Sequence, residues 1–271
     1  MAETRTTLLR SGSGQAPTIL SGSPEQLAGR DLIGPLLDGA LGGVLVEGAF
    51  EAALAAGVVG LLRDAPGACG PVVTPPFPGW TYGAILVVSP PDLVEYRRRG
   101  QALLTVLSDA GLPLAAQLSA MLTMLSGGVP IRTPPEASTP LTVRVFEAGD
   151  GVGIHSERAD WPSMEGLRER IMSGAQLSCY TPLSLAAGGQ LHLYHRPPTG
   201  QKPRIDGMPD AEAAAALTAF GLTEVRPRVG DLLVFDGGRY NHRVLPSRHG
   251  QRWTAGAFLA AGPDGQRYVW S

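Results

Sequence analysis

Apolar positions change their spacing about halfway along the chain. Between Pro91 and Ala110, the residues Leu93, Tyr96, Ala102, Leu103, Val106 and Leu107 recur near helical spacing. Leu112-Pro113 breaks that helix. A second runs from Leu114 to Leu125, ended by Gly127-Gly128-Val129-Pro130. Upstream, Asp31 to Leu41 predicts a short helix, Gly43 to Ala49 a short strand and Phe50 to Ala65 an Ala/Leu-rich helix. Met1 to Ser23 is rich in Ser, Gly and Thr and predicts a flexible arm.

After about Pro140 the apolar runs shorten and Gly, Pro or Asp turns separate many of them. Strands are predicted over 141–146, 177–185, 190–195, 225–228, 231–235, 241–245, 253–260 and 268–270. The segment 197–222 interrupts the series, Pro- and Gly-rich at first and then Ala-rich and helical from about Pro209 to Phe220. No internal repeat is present. The pattern predicts an α+β fold: a flexible arm over 1–23, then one domain over 24–271. Within it a helical half (about 24–139) packs against an antiparallel core of the jelly-roll, or double-stranded β-helix, type (about 140–271). The insertion at 197–222 reads as a lid over a closed pocket.

Composition adds bounds. The 271 residues are 44% hydrophobic and 17% charged, enough for a sizeable core. The formal charge is −2 with no basic stripe, which argues against nucleic acid as partner. Cys69 and Cys179 are too few and too far apart for a disulfide framework or a zinc cluster. No apolar run reaches membrane-spanning length, and the first 25 residues lack a signal-peptide core. These features predict a cytoplasmic chain, monomer or homodimer, with a small-molecule partner.

The chemistry lies in the strand-rich half. His155-Ser156-Glu157 places an imidazole and a carboxylate at i and i+2, one face of an extended segment. His242 follows the turn after Gly230-Asp231-Leu232-Leu233-Val234-Phe235, and Arg252 lies ten residues beyond it. Two imidazoles and one carboxylate on one face of a metal leave the opposite positions open, the facial triad of iron(II) oxygenases. A guanidinium nearby suits a dicarboxylate. In Gln190 to His195, either strand face could line the pocket, with the solvent-facing reading favoured for His192 and His195. His249 sits beside Gly250 in a turn. Asp231 reads as a turn residue, and Trp161 as either a cover over the substrate or core packing.

Together these residues resemble the iron(II)- and 2-oxoglutarate-dependent oxygenases, most nearly the bacterial small-molecule hydroxylases and the prolyl-4-hydroxylase-like branch. The resemblance covers about 141–270: Phe146-x-x-Gly149, His155-x-Glu157, Gly188-Gly189-Gln190-Leu191, Gly230-Asp231, His242-x-Val244 and Arg252-x-Thr254. It implies Fe(II) bound by His155, Glu157 and His242, with 2-oxoglutarate and O2 as cosubstrates. Arg252, helped by Thr254, would take the distal carboxylate of 2-oxoglutarate. The family's frequent tyrosine is Phe146 here, so another donor must serve. Arg144 shares the face of Phe146 and is the candidate, a surface position being the alternative. In related halogenases Gly or Ala stands where Glu157 does and frees a position for chloride. Glu157 leaves none, so hydroxylation of an aliphatic C–H in an amino acid or natural-product intermediate is implied, with desaturation or ring formation also open. A cupin-like metal sensor, or a peptide or protein hydroxylase, are the competing readings.

Overall fold

In the computed structural model, residues 6–10, 12–73, 75, 78–86, 92–135, 139–157, 164–171, 176–198, 203, 205 and 207–271 are described. The strand Arg252–Ala261 shows how the chain is organised. Successive side chains of a strand point to opposite faces. Trp253, Ala255, Ala257 and Leu259 are buried in the main apolar cluster, while Arg252, Thr254, Gly256 and Phe258 line a cavity on the other side. Its neighbours keep the same division. It pairs antiparallel with Thr142–Phe146, Thr254 opposite Arg144, and with Leu177–Ser184, Gly256 opposite Tyr180. Val143 and Val145 face the apolar cluster, as do Leu177 and Cys179, whereas Arg144, Phe146, Ser178 and Tyr180 face the cavity.

The larger sheet continues through Leu232–Phe235, Gly43–Val46 and Ile19–Gly22, and Trp80–Tyr82 flanks Thr142–Phe146. Its outer face is covered by the predicted helices, found at Ala52–Asp64, Leu93–Asp109 and Leu114–Leu125. Leu54, Val58, Leu103, Leu107, Leu118 and Leu122 dock there. Asp92 starts the longest of these helices by accepting the Val94 and Glu95 N–H groups, both 3.1 Å away. A five-stranded sheet faces the cavity from the other side. Its order is Thr6–Arg10, Leu222–Val225, Leu191–Tyr194, His242–Val244, Val152–His155. No single helix among the described residues is long and apolar enough to cross a membrane.

Two expectations change. The segment read as a flexible arm contributes strands to both sheets: Thr6–Arg10 pairs with Leu222–Val225, and Ile19–Gly22 runs parallel to Gly43–Val46. Strand pairing uses backbone groups that every residue carries, so a polar, Gly-rich composition does not forbid it. The insertion read as a lid is a brace in its described part. Its helix, Asp210–Thr218, packs Ala214 and Leu217 against Tyr194 and Leu222, and no described residue of 197–222 lines the cavity. Tyr194 is next but one to His192 on the strand face turned away from the cavity, so the helix covers the back of the smaller sheet. Residues 199–202, 204 and 206 lie outside the described part.

Candidate active site

The edge strand Val152–His155 was not among the predicted strands, and its irregularity aims the first histidine. His242 pairs with His155 and Val244 with Val152, so one residue between the pairs on one strand, Arg243, matches two on the other, Gly153 and Ile154. Such a bulge lets Val152 and His155 both face the cavity, although they are not at even spacing. The backbone N–H of Ile154 donates to Asp210 Oδ1 at 2.7 Å, tying this strand to the bracing helix. Glu157, just past the strand, donates its N–H to the Gly237 carbonyl at 2.8 Å. That contact fixes the carboxylate below the turn that leads to His242. A methyl group at Gly237 would lie 2.3 Å from Ser178 Oγ and 2.7 Å from Glu157 Cγ, so only glycine lets the turn approach so closely.

The three side chains converge. Their ligand atoms lie within 4.8 Å of one another, and both imidazole Nε2 atoms stand 3.6 Å from Glu157 Oε1. That separation is too long for a hydrogen bond, and it leaves the lone pairs directed at one point. The tautomers agree. His155 Nδ1 donates to the Gly153 carbonyl at 2.8 Å and His242 Nδ1 to the Tyr240 carbonyl at 3.0 Å, which leaves each Nε2 as a bare acceptor. Phe235 holds the His242 ring edge-on, with centroids 4.9 Å apart. Ser178 Oγ donates to Glu157 Oε1 at 3.2 Å.

The charges follow the same logic. Burial alone would raise the Glu157 carboxyl, but the two imidazoles beside it hold it well below the usual carboxylate range. Burial works against the charged form of His155 too, yet contact with Glu157 outweighs it and lifts its pKa above the ordinary value. His242 is pushed down by burial and by His155. An anionic carboxylate and two Nε2 lone pairs form a donor set that fits a divalent metal ion.

A cavity of about 130 Å³ extends from this cluster. Arg252 lines it and is 5% exposed. Among the described residues no carboxylate forms an ion pair with it. Its guanidinium lies 5.5 Å from the Phe146 ring centre and 5.8 Å from that of Tyr180. Burial depresses its pKa. Thr254 stands on the same strand face. Arg144 also opens into the cavity rather than onto the surface, with its guanidinium 4.8 Å from the Phe146 ring centre. Burial, followed by repulsion from Arg252, lowers its pKa to about 10, so it stays cationic at neutral pH.

Tyr180 is the cavity residue that sequence reasoning passed over. Its hydroxyl makes no hydrogen bond within the described protein, it faces the same space as Arg252, and burial pushes its pKa to about 12, so it remains a donor. The available signal was strand alternation, which puts Tyr180 on the face of Ser178. The remaining histidines lie elsewhere: His192 meets Glu224 at 3.3 Å and His195 meets Thr223 Oγ1 at 3.0 Å. His249 is exposed. Asp231 is a turn residue, accepting from the N–H groups of Gly48 and Arg228 at 2.9 and 2.7 Å. Trp161 lies outside the described residues.

The model of a family described as carrier-protein-independent halogenase WelO5 matches residues 24–271. The chain belongs to the WelO5 family. It is a 2-oxoglutarate-dependent, non-haem iron enzyme. The fold is shared with solved structures of low sequence identity. An N-substituted L-amino acid dioxygenase from Burkholderia ambifaria AMMD is 14% identical, with a TM-score of 0.52 over 97% of this chain and 100% of that one. A 2OG-Fe(II) oxygenase family oxidoreductase from Burkholderia pseudomallei is 15% identical, with a TM-score of 0.50 over 92% of this chain and 100% of that one. No curated protein sequence matches this WelO5-family chain at a significant level.

Proposed function

We propose that this member of the WelO5 family hydroxylates an aliphatic C–H of a small molecule, an amino acid or a natural-product intermediate, and is not a halogenase. The observation that carries this reading is the Glu157 carboxylate, converging with two bare Nε2 atoms at 3.6 Å each. A halide would need the position that this carboxylate takes. We read the two facing sheets as a double-stranded β-helix with the site between them.

In this reading His155, Glu157 and His242 hold Fe(II), and Arg252, Thr254 and Tyr180 receive the distal carboxylate of 2-oxoglutarate. A buried guanidinium without an acidic partner suits a carboxylate that arrives with the cosubstrate. Tyr180 takes the place of the donor missing at Phe146. Iron with 2-oxoglutarate and O2 supplies the oxidising chemistry, releasing succinate and CO2. The protein's part is placement and exclusion of water. Ile85, Phe235 and Phe258 give the cavity apolar walls against which a substrate C–H can rest.

The test is a screen of amino acids and natural-product intermediates with ferrous iron, 2-oxoglutarate, O2 and chloride. A gain of one oxygen in the product, with matching succinate, is expected. A product with the chlorine isotope pattern would overturn the hydroxylase assignment. Iron affinity unchanged in all of His155→Ala, Glu157→Ala and His242→Ala would overturn the triad.

A further inference from the structure

Gly256 stands in the middle of the strand Arg252–Ala261, where a glycine costs conformational entropy and contributes no side-chain packing. The usual local reasons for one are missing here. Its φ is not positive. The strand keeps regular register around it, with Thr142 opposite on one side and Tyr180 on the other, so there is no bulge. No neighbouring segment crowds it: a β-carbon there would meet only the Cys179 carbonyl oxygen, at 3.8 Å, an ordinary contact. Ala255 and Ala257 beside it are buried, whereas Gly256 is only partly covered and opens into the cavity. The remaining reason for a glycine inside a strand is the close approach of a ligand.

Its position says which ligand. One inward step along the strand, Phe258 pairs with Ser178, whose hydroxyl donates to Glu157, and Phe235 beside Ser178 holds His242. That row lies under the triad. Two inward steps the other way is Arg252, whose guanidinium is 5.8 Å from the ring of Tyr180, the neighbour of Gly256. The smaller sheet follows the same course. After His242 its next inward residue is Val244, in a row with Leu191 and Val152. Just before Leu191 comes Gly189, where a β-carbon would lie 2.9 Å from Arg252 Cδ. Between the triad and Arg252, the cavity therefore has three branched side chains on one sheet. On the other it has a floor without a side chain, flanked by Thr142 and Tyr180.

On the reading above, which this inference takes as given, 2-oxoglutarate spans this stretch from the metal to Arg252, and its two methylene groups pass over Gly256. Both of its ends are fixed. A longer 2-oxo dicarboxylate can keep both attachments only by bowing its chain sideways. The branched row resists that, and the glycine leaves room for it. We infer that Gly256 is the specificity-determining residue of the cosubstrate passage: the notch above it admits 2-oxoadipate, one methylene longer than 2-oxoglutarate, as a second ligand of the same site.

The test uses the full chain, anaerobic and loaded with ferrous iron, with 2-oxoglutarate and 2-oxoadipate as probes. Binding is read by calorimetry and from the metal-to-cosubstrate absorption band, without turnover. In the wild type 2-oxoadipate should develop that band and bind within about tenfold of 2-oxoglutarate, at or below the bottom of the roughly 10- to 200-fold that one methylene decides in a closed apolar site. Gly256→Ala and Gly256→Val place a methyl and an isopropyl group in the notch, and both residues suit the extended backbone there. The affinity ratio should shift against 2-oxoadipate by about tenfold or more in Gly256→Ala, the order of one overpacked methyl group, and further in Gly256→Val. Binding of 2-oxoadipate by the wild type beyond that tenfold limit would overturn the inference without any variant. A ratio unchanged in both variants, whether neither affinity falls or both fall together, would overturn it as well. Failure of the wild-type chain to bind iron or 2-oxoglutarate shows before 2-oxoadipate is added, and strikes the underlying functional reading itself.

Discussion

Replacing Arg252 by Met should move cosubstrate binding and protein stability in opposite directions. Arg252 is 5% exposed and has no acidic partner among the described residues, so in the ligand-free protein it is a buried cation held over two rings. Hydrogen bonds to charged groups are worth about 1.5–3 kcal/mol each, and a guanidinium can offer a carboxylate two of them in parallel. Allowing for the desolvation of both groups, loss of the pair should cost about 2–4 kcal/mol, or roughly 30- to 1,000-fold in 2-oxoglutarate affinity. Ferrous iron should still bind, because the triad is untouched. The ligand-free protein should unfold at the same temperature or higher, since an apolar side chain of similar length replaces a charge that burial penalises. Two assays read this: anaerobic titration of the metal-to-cosubstrate absorption band, and thermal unfolding with and without 2-oxoglutarate. Wild type should be stabilised by the cosubstrate through mass action and the variant hardly at all. An unchanged titration midpoint would refute the anchor and assign the distal carboxylate of 2-oxoglutarate to another residue. A marked loss of ligand-free stability would show that Arg252 is structural.

Four further outcomes follow from the same geometry. Tyr180→Phe should weaken 2-oxoglutarate binding by about 1 kcal/mol, roughly fivefold, with iron affinity unchanged; no change in calorimetric titration would remove Tyr180 from the cosubstrate site. Gly237→Ala should lower iron affinity while the fold survives, because a methyl 2.7 Å from Glu157 Cγ must displace that side chain; wild-type iron binding in a folded Gly237→Ala protein would refute the close-approach argument. Iron affinity should fall on acidification, starting above the ordinary imidazole pKa, because iron needs a neutral ring and Glu157 lifts the pKa of His155, which lets the proton compete at higher pH. His242, pushed down, should not contribute at that point, and affinity that is flat with pH from about 6 to 8 would contradict this assignment. Leu217→Ala, at a position 1% exposed, should cost about 2–4 kcal/mol in denaturant unfolding and leave iron and 2-oxoglutarate affinity intact, as a brace requires; loss of ligand binding at full stability would return the segment to the lid role.

Residue identity and order along the chain were enough to nominate the triad and Arg252. A metal and a dicarboxylate place strict demands on ligand type, and few residues in a chain with 5 His can meet them in sequence. Helical spacing likewise foretold Leu93–Asp109 and Leu114–Leu125, and the strand predicted over 253–260 lies within Arg252–Ala261. What the tertiary structure decided depends on backbone pairing and on contacts between distant segments. The strands Thr6–Arg10 and Ile19–Gly22 are held by hydrogen bonds to partners far along the chain, and their composition carries little of that information. The bulge that turns both Val152 and His155 inward is a mismatch between two strands, invisible in either one alone. Gly237 matters because Ser178 and Glu157 approach it in space. Tyr180 and Arg144 acquire their meaning only when two strands, each carrying them on its inner face, close around the same cavity.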